Sequence, residues 1–333
     1  MSRNTSSSKE LQRSIEAIMQ KKQYENFDEW VTNFALNLPN IWNEKSSKEL
    51  NPSTDPNYKK EKHSAIVIGR GPSINKHKHL KLLAESNYQG TIVCCDGKLA
   101  DALKAGITPD KFPKYFVTTI DPYAKIRKHY DHEIVNTYGP KIKGIFTVIT
   151  NPNVVERARL AGIQIHWLHS LFDYNEGRKS FNNISALMIR ARNNLHGLPA
   201  IQTGGNIGTA SWFISWQILK CSIVALIGIN HGWEEDTPWE TIITHGDEND
   251  EISKDMDRNS PSFNKLFKKI HNPDFNCNCI LDPLFQFYSE ALKEFILRSP
   301  DWLTTINATE GGSIFGERIK SMKFNDFLEK FRS

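Results

Sequence analysis

The sequence predicts an α/β fold: a doubly wound, mostly parallel sheet with helical N-terminal and C-terminal attachments. Three observations carry this reading. Short β-rich runs at 65–69, 91–95, 115–120, 144–149, 163–168 and 222–229 are continuously apolar rather than alternating, as strands covered on both faces are. Helical patterns fall between them, near 76–86, 97–105, 123–130, 152–161, 180–194 and 206–219, in the order that βαβ crossovers need. Glycine turns and aspartates follow the runs, at the carboxyl ends of strands where such sheets bind ligands.

Residues 1–60 read as a helical attachment and linker. Ser7 and Glu10 have capping-box spacing, and Leu11, Ile15, Ile18 and Met19 follow helical rows. A second stripe, Phe27, Trp30, Val31, Phe34, Leu38, Ile41 and Trp42, is too apolar to face water, so it packs on the main domain or contacts a partner or a second copy. From Asn43 to His63 the chain turns polar, with Pro52 and Pro56, and reads as a linker. Residues 61–275 are expected to form the nucleotide-binding α/β domain. Within it, the polar stretch that follows the 222–229 run and reaches about Asn259 is long enough for a lid or binding loop. Its Glu234, Glu235, Asp236, Asp247, Glu248 and Asp250 equally describe a solvated surface. Residues 276–333 are expected as a helical segment packing on the same domain, with Phe285, Tyr288, Leu292 and Phe295 on one helix. A brief Thr304-Thr305-Ile306 segment follows, and a last helix begins after Met322.

Composition bounds the function. A chain of 333 residues can bury one large core plus an accessory segment. With 39% hydrophobic and 24% charged residues it is globular, and a formal charge of +4 is too mild for a nucleic-acid partner. The apolar run Ile223 to Ile229 is far short of the roughly 20 residues that span a bilayer, so no transmembrane segment is expected. The start, Ser2 to Glu10, is polar and lacks the apolar stretch of a secretory signal. Cysteines at 94, 95, 221, 277 and 279 are odd in number and irregular in spacing, which fits free thiols and a cytoplasmic setting. Cys277-Asn278-Cys279 lacks the second pair that would complete a tetrahedral metal site.

The strand ends carry the chemistry. Ile66-Val67-Ile68 leads into Gly69-Arg70-Gly71-Pro72-Ser73, and small residues between a strand and a helix start can present N–H groups to a phosphate or another anion. The spacing is not the GxGxxG dinucleotide fingerprint, since a proline follows the second glycine and the third is missing. After the second strand comes Asp96-Gly97, where the carboxylate can bind a ribose hydroxyl or a metal-bound phosphate, or cap the next helix. Asp121-Pro122 after the third strand is a natural cap, and Asp121 with Asp96 could hold a divalent cation. Thr203-Gly204-Gly205-Asn206 opens an apolar helix and forms a second candidate anion cradle; close helix packing through Gly204, Gly205 and Gly208 is the alternative. Asn230-His231 follows the last strong strand, and His231 and His245 in the polar stretch are the candidate general bases.

The motifs in order are GRGPS, CCDG, AGITPD (105–110), TTIDP, TGGNIGTA, IGIN and INATEGG (306–312). Together, from about Ser64 to Gly316, they resemble the MptE-like family, which includes archaeal 6-hydroxymethyl-dihydropterin diphosphokinases and the central domain of Maf motility-associated glycosyltransferases. The resemblance implies a Rossmann-like transferase. TIDP, TGGNxGTA and NATEGG look more like the Maf branch, which resembles in fold the bacterial sialyltransferases that use a CMP-activated nonulosonic sugar. That branch implies transfer of such a sugar to a hydroxyl on a glycan or protein acceptor, with no cofactor. Gly69, Gly71, Pro72 and Ser73 would then hold the nucleotide phosphate, and Asp96 and Gly97 would lie near the ribose or base. Thr203, Gly204, Gly205 and Asn206 would bind an anionic group of the donor. His245 is the better match to the branch's base and His231 the second, while Asn230 stands where the branch carries an aspartate. The other branch implies pyrophosphoryl transfer from ATP to a hydroxymethyl-pterin, with Mg²⁺ held by Asp96 and Asp121. This chain has Thr119-Ile120-Asp121-Pro122 where that branch carries a more acidic segment. A third reading is a non-catalytic nucleotide-binding module that docks through the apolar N-terminal helix.

Overall fold

A computed structural model describes residues 26–54, 63–171, 180–191, 197–243, 245 and 257–331. The main sheet has ten strands, which in chain order begin with β1 (Lys45–Ser46), β2 (Ser64–Ile68), β3 (Thr91–Cys95), β4 (Tyr115–Thr119) and β5 (Lys143–Thr147). They continue with β6 (Gln164–Leu171), β7 (Ala200–Gln202), β8 (Ile223–Ile227), β12 (Thr304–Asn307) and β13 (Ile319–Ser321). Between β8 and β12, strands β9 (Trp233–Glu234), β10 (Lys268–Asn272) and β11 (Cys277–Leu281) form a separate antiparallel sheet. The main sheet runs β1-β6-β5-β4-β3-β2-β8-β12-β13, with β7 beside the end of β6, and every pairing in it is parallel. After β1 at one edge, the chain crosses to the middle at β2, steps outward to β6, then returns to the far side of β2 with β8. Strand order therefore reverses between β2 and β8, where doubly wound sheets open a crevice at their carboxyl edge.

The continuous apolar runs resolve into two faces. Ile66, Ile68, Ile92, Cys94, Val117, Phe146 and Trp167 face one core, while Ala65, Val67, Val93, Ile145, Leu168, Val224 and Leu226 face the other. Alternate residues point to opposite sides, and both sides are buried, so no polar alternation survives in the sequence.

All six predicted strands form, with ends shifted by a few residues. The helix expected at 76–86 divides into Ser73–Lys76 and His79–Glu85, broken at Lys78, whose φ is +55°. The one expected at 206–219 is Ile207–Phe213 running on into a wider turn, Ile214–Ile218. The C-terminal part carries the expected helices, Pro283–Leu297 and Phe324–Lys330, but also contributes β12 and β13 to the main sheet. A boundary at 275/276 falls in the turn of the β10–β11 hairpin, whose two strands pair along their full length.

The helix at 26–43 lays Phe34, Leu38 and Ile41 into the core, so its apolar stripe is spent on the domain itself. β1, just after it, extends the sheet beyond β6, and residues 45–54 are structured where a linker was expected. The Ser7–Met19 helix pattern, Pro56, and Asp247, Glu248 and Asp250 of the polar stretch lie outside the described residues. Among the described residues, no helix is long and apolar enough to cross a membrane.

Candidate functional site

At the order reversal two turns meet. Gly69 N–H donates to Ile227 O at 2.8 Å, and Gly71 N–H donates to Gly228 O at 2.8 Å. A Cβ on Gly69 would stand 2.4 Å from Gly228 O, and one on Gly71 only 2.1 Å from Asn230 Oδ1. The two glycines therefore allow close approach of backbone to backbone. Their N–H groups are committed to the neighbouring turn, whereas the sequence reading had them facing an anion. Ser73 Oγ donates to Asn230 Oδ1 at 2.9 Å, and both residues are buried, while Arg70 and Pro72 are exposed on the rim.

The second bend joins the same rim. Asn206 caps the helix Ile207–Phe213 by accepting from Thr209 N–H at 2.9 Å. Gly204 and Gly205 hold φ of +56° and +78°, left-handed values that glycine adopts without strain. Gly205 N–H and Asn206 N–H turn back on Thr203, to its Oγ1 at 3.3 Å and its carbonyl at 3.2 Å, so these donors too are committed within the turn where the sequence reading had them facing an anion. His231 Nε2 donates to Asn206 Oδ1 at 3.2 Å. The dipeptide Asn230-His231 thus ties the two bends together, Asn230 to Ser73 and His231 to Asn206. His231 itself is a poor base: burial first, with the Lys293 charge adding to it, drives its pKa down to about 3. Its buried Nδ1 has no hydrogen-bond partner.

His245 sits differently. Its Nδ1 donates to Asp282 Oδ2 at 2.6 Å, and Asp282 is fully buried. Asp282 caps the helix Pro283–Leu297, its Oδ1 accepting from Phe285 N–H at 2.8 Å, while Trp233 Nε1 donates to the same Oδ2 at 2.8 Å. Phe285 and Trp233 hold the imidazole between them, with ring centroids at 4.5 and 5.1 Å. An imidazole whose Nδ1 is engaged by a buried carboxylate has the base-and-orienter arrangement of nucleophile activation. Sequence reading missed Asp282: Asp-Pro at a helix start signals a cap, and its second role depends on which loop the fold brings to it.

Asp96 lies at the end of β3, buried, with Gly97 N–H on Oδ1 at 2.5 Å and Thr119 Oγ1–H on Oδ2 at 2.8 Å. Tyr130 stands behind, its hydroxyl 2.6 Å from Thr119 Oγ1. Burial, then the charge of Asp121, push the Asp96 pKa up to about 7. Burial also raises that of Asp121, opposed by Lys125 and Arg70. Asp96 therefore senses the charge of Asp121, and Arg70 from the first turn offsets the shift of both. An all-oxygen pair of this kind suits Mg²⁺, which takes one or two carboxylates and completes its shell with phosphates and water. Among the described residues no group of three or more His, Cys, Asp or Glu side chains could hold a metal.

Beside the rim opens a cleft of about 730 Å³ that none of the predicted site residues lines. Its walls come from Lys76 after the first turn, Trp233 and Glu234 of β9, Phe275 of the hairpin turn, and Glu310 to Gly312. The last segment belongs to the INATEGG motif, so the signal was in the sequence as a motif without an assigned role. Gly312 comes so close to the Asn230 turn that a Cβ would lie 2.3 Å from Asn230 O, and Ser313 N–H donates to that same oxygen at 2.9 Å.

In fold the chain is similar to a Maf glycosyltransferase from Magnetospirillum magneticum AMB-1, with a TM-score of 0.52 and 14% sequence identity. The match covers 88% of this chain and 41% of that protein, so the chain spans less than half of its length. No curated protein matches the sequence. The family described as 6-hydroxymethylpterin diphosphokinase MptE-like matches residues 32–236, more than half of the sequence, and the chain belongs to the MptE-like family.

Proposed function

We propose that the protein is a transferase acting on a nucleotide-activated donor, and that it moves a nonulosonic-acid-type sugar from a CMP donor to a hydroxyl acceptor. The observation that carries the reading is the His245–Asp282 pair, an imidazole held by a buried carboxylate at 2.6 Å. In this reading the donor's phosphate lies along the rim where Ser73 begins its helix and Arg70 supplies positive charge, with the nucleoside toward Asp96.

His245 takes the proton of the acceptor hydroxyl. The acceptor oxygen forms its bond to the anomeric carbon as the carbon–oxygen bond to phosphate breaks, and CMP leaves with that electron pair. Fixed charge at the leaving phosphate is the larger part of the rate enhancement, while a positioned base adds about 10²–10⁴-fold. The reading calls for no cofactor.

The carboxylates Asp96 and Asp121 favour a second reading, pyrophosphoryl transfer from ATP to a hydroxymethyl-pterin. Bound between them, Mg²⁺ would neutralise phosphate charge. Thermal unfolding with CMP, CDP, UDP, ADP and ATP, each with and without Mg²⁺, separates the two. Stabilisation by cytidine nucleotides without metal supports sugar transfer, because a ligand that binds the folded state alone raises Tm. A response to Mg-ATP alone reverses the ranking. Tight nucleotide binding without turnover of any donor indicates a non-catalytic binding module.

A further inference from the structure

We propose that the cleft beside the rim is the acceptor subsite, and that it takes a hydroxyl-bearing sugar of neutral or positive charge while rejecting acidic ones. The proposal rests on the sugar-transfer reading above and names the acceptor class for it.

Position is the first argument. Gly312 lines the cleft and packs against Asn230, the residue that also accepts from Ser73 on the donor rim. Trp233 lines the cleft too, and its Nε1 shares Asp282 Oδ2 with His245. One wall therefore adjoins the donor turn and another adjoins the base. An acceptor must lie between those two groups for its hydroxyl to lose a proton and attack.

Charge is the second. The walls carry four carboxylates, of which Glu234 engages Lys76 at 2.8 Å and Glu235 engages Lys269, so that Asp236 and Glu310 supply the net negative charge. Burial holds the pKa of His77 below its ordinary value, so this neighbour offsets the carboxylates less than an ordinary histidine would. A wall of this sign repels phosphate and carboxylate. The anionic donor is left to the rim with Arg70, and acceptors without negative charge are left to the cleft.

Shape and donor chemistry are the third. Trp233 and Phe275 supply aromatic faces for the apolar side of a sugar ring, and the carboxylates accept from hydroxyl or ammonium groups. Glu310 is held ready at φ +60°, its Oε1 accepting from Phe324 N–H at 3.1 Å and from His79 Nε2 at 3.3 Å. A volume of about 730 Å³ lies in the ordinary range of small-molecule sites.

Asp236 is the residue to change, since it lines the cleft, is exposed, and has no part in the rim or the base pair. Saturation-transfer NMR on the full chain would measure Kd for methyl galactoside, methyl glucosaminide and methyl glucuronide. We expect the glucuronide to bind about tenfold or more weakly than the other two, and Asp236→Lys to narrow that gap about fivefold. Equal Kd values, absence of binding by all three, or a gap unchanged in Asp236→Lys would overturn the subsite. Stabilisation by CMP in thermal unfolding is measured in parallel on the same two proteins and should be equal in both. Its absence in the unaltered chain defeats the sugar-transfer reading and the subsite with it; its presence with an unchanged gap defeats the subsite alone.

Discussion

Asp282 holds His245: Nδ1 of the imidazole donates to Oδ2 of a carboxylate that no solvent reaches. The same carboxylate caps a helix through its other oxygen. Asparagine is an equally good cap through its oxygen, so Asp282→Asn keeps the helix start while its amide N–H groups, donors only, replace the oxygen that accepts from His245 and Trp233. We expect Asp282→Asn and His245→Ala each to lower kcat by about 10²–10⁴-fold, the range for a positioned base, with CMP affinity nearly unchanged. Single-turnover transfer and equilibrium binding of CMP check this. Equal loss of turnover and affinity would remove His245 from catalysis. His231, whose pKa burial holds near 3, should not supply the acid limb of the pH–rate profile, and that limb should persist in His231→Gln.

Asp96 makes stability depend on pH. Its pKa rises from an ordinary 3.8 to about 7 because burial, and then Asp121, disfavour the ionised form. The unfolded chain ionises at the ordinary value while the folded chain keeps its proton. The favourable contribution is complete below about pH 3.8 and is lost as pH rises through about 7. The loss is on the order of 4 kcal/mol for a shift of this size. Asp96→Asn mimics the protonated form and should raise Tm more at pH 8 than at pH 5. A gain of the same size at both pH values contradicts the assignment. Mg-ATP that stabilises the unaltered chain at pH 8 but not Asp96→Asn would favour the metal reading.

The main sheet was legible because its strands are covered on both sides. Runs such as Ile66-Val67-Ile68 and Ile223 to Ile227 need no polar residue in either direction. β10 and β11 escaped notice because they pair outside that sheet. Lys268-Lys269-Ile270-His271-Asn272 is half polar, and its partner buries only one end. β1, two residues long, has no periodicity to read. Of the site, the glycine bends stood out as clusters, yet Gly69 and Gly71 serve close contact with the 228–230 turn, a neighbour that the local sequence does not name. The roles of Asp282, Trp233 and Glu310 became visible only where segments distant in the chain converge. Family membership reaches back to residue 32, which fits a helix whose Phe34, Leu38 and Ile41 belong to the core.

Gly71→Ala tests the meeting of the two turns. The added Cβ would lie 2.1 Å from Asn230 Oδ1 and 2.8 Å from Gly228 O, and one of these is backbone that cannot easily yield. Overpacking of this kind costs about 1–3 kcal/mol. It also pushes Asn230 away from Ser73, so nucleotide affinity should fall with stability. Pro72→Ala, on the exposed side of the same turn, should leave stability within about 0.5 kcal/mol. Urea unfolding of the two variants distinguishes a packed contact from general sensitivity of the loop.

The helix at 26–43 reaches the rim through two buried amides. Asn33 Nδ2 donates to Pro122 O at 3.0 Å and to Ile149 O at 3.1 Å; Asn37 Nδ2 donates to Val148 O at 3.2 Å and to Thr150 O at 2.7 Å. These carbonyls belong to the loops that follow β4 and β5, and the first lies one residue beyond Asp121. Removing either amide leaves buried acceptors unpaired, at about 1–3 kcal/mol per variant. Asn37→Ala should therefore destabilise the whole domain, and Asn37→Asp should do so more, because a carboxylate has no hydrogen to donate and would face two carbonyl oxygens. If the helix were a loosely attached arm, both substitutions would leave the unfolding midpoint in urea unchanged. A larger loss for the aspartate than for the alanine at neutral pH, with the difference shrinking in acid as the carboxyl gains a proton to donate, assigns the effect to donation by Asn37.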